Sequence, residues 1–288
     1  MDARFRFSRS VALAALAACG AIAQPDVVIL AKSPETSTKT IYRAVFMDST
    51  AAIYDAVHLQ RVPVFTSATI GQLKGAIGID LALMSEGSLI LRRYYGNGEL
   101  FQEFNLGVPA NGLTEVKGIG DFDVDGIPEV VLYDPSTEAL GGYEVEADGT
   151  ATFVPVVNNM PDPVYTRVLA ICDLDKDGQT DIVYENPANQ NFRYGYTQWG
   201  EVTSYSWATC DPDPHPEDPA RNFNSRILAF VHVDGDAYAD VLTNPAAPRV
   251  KRVWTMEGIF PQSRLEVGGL LGGYRKWDFL AANSYRPL

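Results

Sequence analysis

Two segments of this chain place acids at alternate positions of what must be a tight loop. They read Asp121-x-Asp123-x-Asp125-Gly126-x-x-Glu129 and Asp173-x-Asp175-x-Asp177-Gly178-x-x-Asp181. Carboxylates with that spacing converge on one point, and hard oxygen ligands in that number select Ca²⁺. The sixth-position glycine permits the positive φ that turns the chain around an ion. A backbone carbonyl one residue later, at Ile127 or Gln179, adds a ligand, and the ninth-position acid closes the shell from the start of the next strand. An EF-hand would need a glutamate at position twelve between two helices. Here position twelve is Leu132 or Tyr184, inside a β-type run. A solvated Asp-rich turn is the plainer reading of one such loop. Two near-complete copies at equivalent places in a repeat favour two calcium sites.

A third loop has decayed. His232 stands at its first position and Ala237 at the glycine position, while Asp234, Asp236 and Asp240 remain. Imidazole is a poor Ca²⁺ ligand, and alanine resists a left-handed turn. The expectation is a degenerate site that binds weakly or not at all, kept for its shape.

The elements that position these loops recur with them. Gly120–Gly149, Cys172–Gly200 and Val231–Gly258 align, each with its acidic loop followed by a short apolar strand: Val130–Leu132, Ile182–Tyr184 and Val241–Thr243. A proline follows at Pro135, Pro187 and Pro245, then a second strand ending at a turn glycine. Four residues before that glycine stand Val145, Tyr196 and Trp254, one inward-facing position per repeat. Ser88–Leu106 reads as a further strand pair whose acidic loop has eroded to Met84–Gly87. Gly272–Leu280 keeps only the last acid, Asp278. The chain then stops about one strand later. Strands around Val27–Leu30 and Ile41–Met47 are therefore expected to complete that last sheet, which removes the edges an open array would expose. Almost nothing reads as helix, and Gly, Pro, Asn and Asp punctuate short β-branched and aromatic runs. The acids Glu129, Asp181, Asp240 and Asp278 lie 52, 59 and 38 residues apart. Four-stranded blades take about 40 to 50 residues, so the length supports five or six. One segment, Asp211–Pro219, departs from the repeat as a proline-rich insertion, expected to be extended and stiff.

The motif DxDxDGxxD with its short apolar strand, repeated at blade spacing, resembles the FG-GAP/VCBS repeats of integrin α-subunit propellers and many bacterial exported proteins. The resemblance covers about residues 73 to 288 and is specific in two loops. It implies an all-β fold, a β-propeller with Ca²⁺ in hairpin loops between the first two strands of a blade. By that matching, Asp121, Asp123, Asp125 and Glu129 hold one ion, and Asp173, Asp175, Asp177 and Asp181 the other. It also implies adhesion or ligand recognition outside the cell.

The first residues point the same way. Arg4, Arg6 and Arg9 precede an apolar run from Val11 to Ala18, the n- and h-regions of a signal peptide. Leu16-Ala17-Ala18-Cys19 has the form of a bacterial lipobox, which would lipidate Cys19 and leave residues 19–26 as a tether to a propeller over 27–288. Ala21-Ile22-Ala23 offers the competing cleavage of ordinary secretion, giving a periplasmic or secreted protein. Loss of residues 1–18 removes one aspartate and three arginines, so the net charge moves from −13 to −15. A surface that acidic argues against nucleic acid and anionic lipid as partners and suits a holder of divalent cations. Membrane contact would come only through the lipid anchor. Cys172 and Cys210 remain, either paired in an oxidising compartment or separately buried.

The expected function is binding rather than catalysis: a ligand-binding or adhesion module for a glycan or a protein, with structural calcium. Surface candidates are the proline-rich insertion, Trp199 and Trp207. A polysaccharide lyase or hydrolase on the same scaffold is the alternative. The chain has no Gly-x-Ser-x-Gly and no His-Glu-x-x-His. Its three histidines, His58, His215 and His232, lie in an apolar stretch, the insertion and the decayed loop.

Overall fold

Runs such as Val27–Leu30 and Val130–Tyr133 are apolar at consecutive positions, so a strand made from them needs cover on both faces. The computed structural model describes residues 27–34, 40–73, 78–123, 125–156, 167–174, 178–185, 192–198, 201–208, 227–233, 239–243, 252–257, 260–269 and 277–284. Their regular structure is β throughout, save for one 3-10 turn at Ala110–Gly112.

The chain begins with β1 (Val27–Pro34), β2 (Thr40–Met47) and β3 (Ala52–His58). Next come β4 (Ser67–Gly71), β5 (Ile79–Ser85), β6 (Ser88–Tyr94) and β7 (Leu100–Gly107), an antiparallel sheet in sequence order. β8 (Glu115–Gly120), β9 (Glu129–Asp134), β10 (Ala139–Val145) and β11 (Ala151–Val156) repeat that pattern. So do β12 (Arg167–Cys172), β13 (Asp181–Glu185), β14 (Phe192–Gln198) and β15 (Glu201–Ala208). A further copy is β16 (Ile227–Val231), β17 (Asp240–Thr243), β18 (Arg252–Glu257) and β19 (Phe260–Glu266). The short β20 (Gly268–Gly269) and the last strand β21 (Asp278–Ser284) join the N-terminal strands in the order β20-β3-β2-β1-β21. The described residues thus form five sheets.

The N-terminal strands do complete the C-terminal sheet, with β1 antiparallel to β21 from Val27↔Ser284 to Lys32↔Asp278. This pairing corrects the expectation for Asp278. β21 is an end strand of its sheet, as β4, β8, β12 and β16 are of theirs, so Asp278 opens a first strand rather than a second. It is exposed there. Met84–Gly87 is likewise not an eroded acidic loop. Met84 and Ser85 finish β5, and Glu86 and Gly87, both at positive φ, make the two-residue turn into β6.

The core lies between sheets. Val27, Ile29 and Ala31 of β1 pack with Val231 and Leu242 on one side. The alternate residues Val28 and Leu30 pack with Leu81 and Tyr94 on the other. Val130 and Leu132 of β9 face Met84 and Leu91, while Val131 and Tyr133 face Ile171 and Tyr184. Each sheet with this pattern buries both faces, which is why its strands lack polar alternation. Val145 is buried as the repeat requires, whereas the side chains of Tyr196 and Trp254 lie outside the described residues.

The five end strands are neighbours in turn: β4 beside β8, β8 beside β12, β12 beside β16, β16 beside β21, and β21 beside β4. Each acidic loop follows such a strand, so the loops gather at one end of this group.

Candidate metal centre in the loop Asp121–Glu129

β8 stops at Gly120 and β9 starts at Glu129, leaving eight residues to reverse the chain. Three local hydrogen bonds shape them. The Gly126 N–H donates to Asp121 Oδ2 at 2.9 Å, the Ile127 N–H to Asp125 Oδ1 at 2.7 Å, and the Asp125 N–H to Asp123 Oδ1 at 3.4 Å. Such Asx bonds turn each carboxylate inward over its own backbone. Gly126 takes φ +84°, as its place in the motif requires. At the far end the Phe122 N–H donates to Glu129 Oε2 at 2.9 Å.

Ligand oxygens of Asp121, Asp123, Asp125 and Glu129 consequently lie within 4.8 Å of one another. Asp123 and Asp125 are exposed, Asp121 is half-buried, and Glu129 is 1% exposed. Burial pushes the Glu129 carboxyl up to about 8, and the charges of Asp123, Asp121 and Asp125 add to that rise against the Phe122 hydrogen bond. Four acids crowded this closely repel one another when ionised, and a cation between them would relieve that repulsion. All the donors are hard oxygens, which fits Ca²⁺ and does not suit a thiophilic metal.

The second loop has the same frame. The Gly178 N–H donates to Asp173 Oδ2 at 3.2 Å, the Leu174 N–H donates to Asp181 Oδ2 at 2.9 Å, and Gly178 has φ +98°. Gln179 follows that glycine as Ile127 follows Gly126. Asp175 and Asp177 lie outside the described residues.

In the third loop the Val233 N–H donates to Asp240 Oδ2 at 2.7 Å, and Asp240 is fully buried. The His232 ring sits with Nε2 2.6 Å from the carbonyl oxygen of Asp173, in the neighbouring loop. Histidine at this first position thus ties two loops together. Asp234, Asp236 and Ala237 lie outside the described residues.

A fourth loop of this kind escaped the sequence reading. Between β4 and β5, the Leu73 N–H donates to Asp80 Oδ2 at 2.8 Å, the same bond across seven residues. Gln72 takes the first position and Asp80 the ninth. Arg93, directly across from Asp80 on β6, brings Nε to 3.4 Å from Asp80 Oδ1, and both residues are buried. Burial still outweighs the guanidinium and the Leu73 hydrogen bond, and pushes the Asp80 carboxyl up to about 6. No equivalent arginine faces Glu129, whose partner on β10 is Glu144. The signal was present in the repetition of Ile70-Gly71…Asp80-Leu81 against Ile119-Gly120…Glu129-Val130.

The loops also bind one another through the backbone. The Thr180 N–H donates to the Asp121 carbonyl at 2.8 Å, and the Ala239 N–H to the Leu174 carbonyl at 3.1 Å. Contact is close enough that a Cβ on Gly120 would come within 2.1 Å of Thr180 Oγ1. Cys172, at the end of β12, is buried and donates from Sγ to the Asp173 carbonyl at 3.4 Å. Cys19, Cys210, Trp199, His215 and the insertion lie outside the described residues, as does the side chain of Trp207.

No family model matches this chain, and no curated protein does. Among solved structures it is similar to the Photorhabdus luminescens Tc holotoxin pore, with a TM-score of 0.40 and 19% identity, over 84% of this chain and 12% of that one. It therefore spans a small part of the toxin chain's length. It is also similar to an Agrocybe aegerita lectin that recognises non-reducing terminal N-acetylglucosamine, with a TM-score of 0.43 and 13% identity, over 88% of this chain and 83% of that one. Both neighbours are β-rich, and likenesses this distant say nothing of the ligand.

Proposed function

We propose that this chain is a calcium-stapled β-propeller of five blades, of the FG-GAP/VCBS type, acting as an exported module that binds a ligand rather than transforming one. The observation that carries the reading is the convergence of Asp121, Asp123, Asp125 and Glu129 within 4.8 Å. A calcium ion there would neutralise the crowded carboxylates and hold the end of β8 to the start of β9. Asp173, Asp181 and the residues between them would hold a second ion in the same frame. The neighbour relations of β4, β8, β12, β16 and β21 support a ring of blades, with the pairing of β1 and β21 as its closure. Because the loops bond to each other, an ion in one stiffens the next, and the face they form becomes a rigid platform for a glycan or protein ligand. Export, with Cys19 as a lipid anchor or cleavage after Ala23, belongs to the same reading.

The test is thermal melting in metal-free buffer and in saturating calcium. A ligand of the native state raises the melting temperature by mass action, about 2.7 kcal/mol at a hundredfold excess over Kd. Superimposable melting curves in calcium and in chelator would overturn the proposal.

A further inference from the structure

β4, β8, β12, β16 and β21 each end a sheet, so among the described residues one backbone edge of each has no strand beside it in the hydrogen-bonding direction. Residues from all five line one cavity of about 580 Å³. Peptide groups on such edges need partners from side chains, water or a ligand. Several are met from the next sheet. The Val116 N–H donates to Ser67 Oγ at 2.8 Å, and Asn283 Nδ2 donates to the Ile119 carbonyl at 3.3 Å. The His232 N–H donates to Ser284 Oγ at 3.0 Å.

The rest of the wall continues in that chemistry. Ser67, Thr69 and Thr114 bring hydroxyls to it, and Asn283 an amide. Glu115 and Lys117, both on β8, pair at 2.7 Å, so the charge they add cancels. Lys117 Nζ also lies 5.2 Å from the centroid of the Tyr133 ring, which holds the ammonium in place from a second side. A smaller cavity of about 200 Å³ lies toward the acidic loops, lined by Asp121, Asp173 and His232. Asn283 borders both, and its bond to Ile119 sits at their junction. The exposed Thr114 lies at the opposite end of the larger cavity, where β8 begins.

We propose that the larger cavity binds a neutral, polyhydroxylated molecule of monosaccharide size. Its volume falls within the range of about 300–1,000 Å³ usual for small-molecule sites. Each hydroxyl both donates and accepts, which matches a wall of mixed donors and acceptors. An anion would meet Glu115 and the strand carbonyls, and a cation would compete with Lys117. An apolar ligand would strip water from peptide groups without replacing its hydrogen bonds. The site goes beyond the calcium reading and does not depend on it, because the loops lie at the other ends of these strands.

The experiment is titration calorimetry and saturation-transfer NMR on the full protein, with and without calcium. The probes are glucose, galactose, mannose, N-acetylglucosamine and myo-inositol. At least one binds the wild type, and Lys117→Met and Thr114→Trp each weaken it about tenfold or more, equivalent to about 1.4 kcal/mol. Both variants keep the wild-type melting response to calcium. Absence of binding by all five probes overturns the site, and so does binding that both variants retain. Should Thr114→Trp fail to fold, Lys117→Met and Ser67→Val decide. Loss of sugar binding with an intact calcium response strikes this site alone. An absent calcium response with intact sugar binding strikes the metal reading alone.

Discussion

Glu129→Gln separates the cost of a crowded carboxylate from the gain of a bound ion. Without metal, burial and three neighbouring aspartates raise the Glu129 carboxyl from its ordinary 4.5 to about 8. The folded chain then keeps a proton that the unfolded chain releases above about 4.5. Stability owed to that proton is fully present below about pH 4.5, and it drains away as pH rises toward 8. At pH 7 the loss amounts to about 3 kcal/mol, taking 1.36 kcal/mol per pKa unit. For a chain of this size that is a fall of about 6 to 12 °C in melting temperature. Glutamine is neutral and still presents an oxygen to the Phe122 N–H, so the metal-free variant should melt above the metal-free wild type at pH 7. Its melting temperature should also vary less between about pH 5 and 8. With calcium the order reverses, because the variant has lost the ligand that closes the shell. Circular-dichroism melts across this pH range, in chelator and in saturating calcium, read all three effects. A metal-free wild type indifferent to pH would refute the argument. So would a variant that melts lower without metal yet keeps the full calcium response.

Asp123→Ala and Asp175→Ala should each remove about one bound calcium ion, while Asp234→Ala removes none; calorimetric stoichiometry of three equivalent sites in the wild type would contradict this. Arg93→Met leaves the buried Asp80 without its guanidinium and should cost about 3 kcal/mol or more in chelator and in calcium alike, as breaking a buried pair does. Pairing it with Asp80→Asn should recover most of that loss, and a double variant no more stable than the single one would show that the pair does not matter. Cys19→Ser should move the protein from the membrane fraction to the soluble one, and an unmodified Gln24 at the wild-type N-terminus would instead mean ordinary secretion.

The all-β class and the convergence of acids in the Asp121–Glu129 loop were legible for the same reason: both rest on local pattern. Carboxylates at alternate positions before an apolar run stand out, because their spacing within a short loop already brings them together. Partner choice is not local. Asp278 precedes an apolar run just as Asp240 does, yet Asp240 starts the second strand of its sheet and Asp278 an end strand. Only the pairing of β21 with β1, from the other end of the chain, separates them. The loop at Gln72–Asp80 was hidden by the opposite effect. Its acids at positions one, three and five are gone, replaced by Gln72, Lys74 and Ala76, and a search for acids passes over it. What persists is the Leu73 to Asp80 hydrogen bond, shared with Phe122 to Glu129, Leu174 to Asp181 and Val233 to Asp240.

That shared bond reorders the roles within the motif. The ninth-position acid is buried in all four loops, including the one whose other acids are gone. Its burial and its hydrogen bond are therefore features of the loop fold itself, independent of acids at positions one, three and five. The surroundings of that acid differ between loops. Asp80 has Arg93 from across the sheet. Glu129 is instead crowded by Asp121, Asp123 and Asp125. His232, read from sequence as a ligand lost, instead reaches the Asp173 carbonyl and binds its loop to the next. The first position of this loop thus contributes a contact with the neighbouring loop rather than a carboxylate.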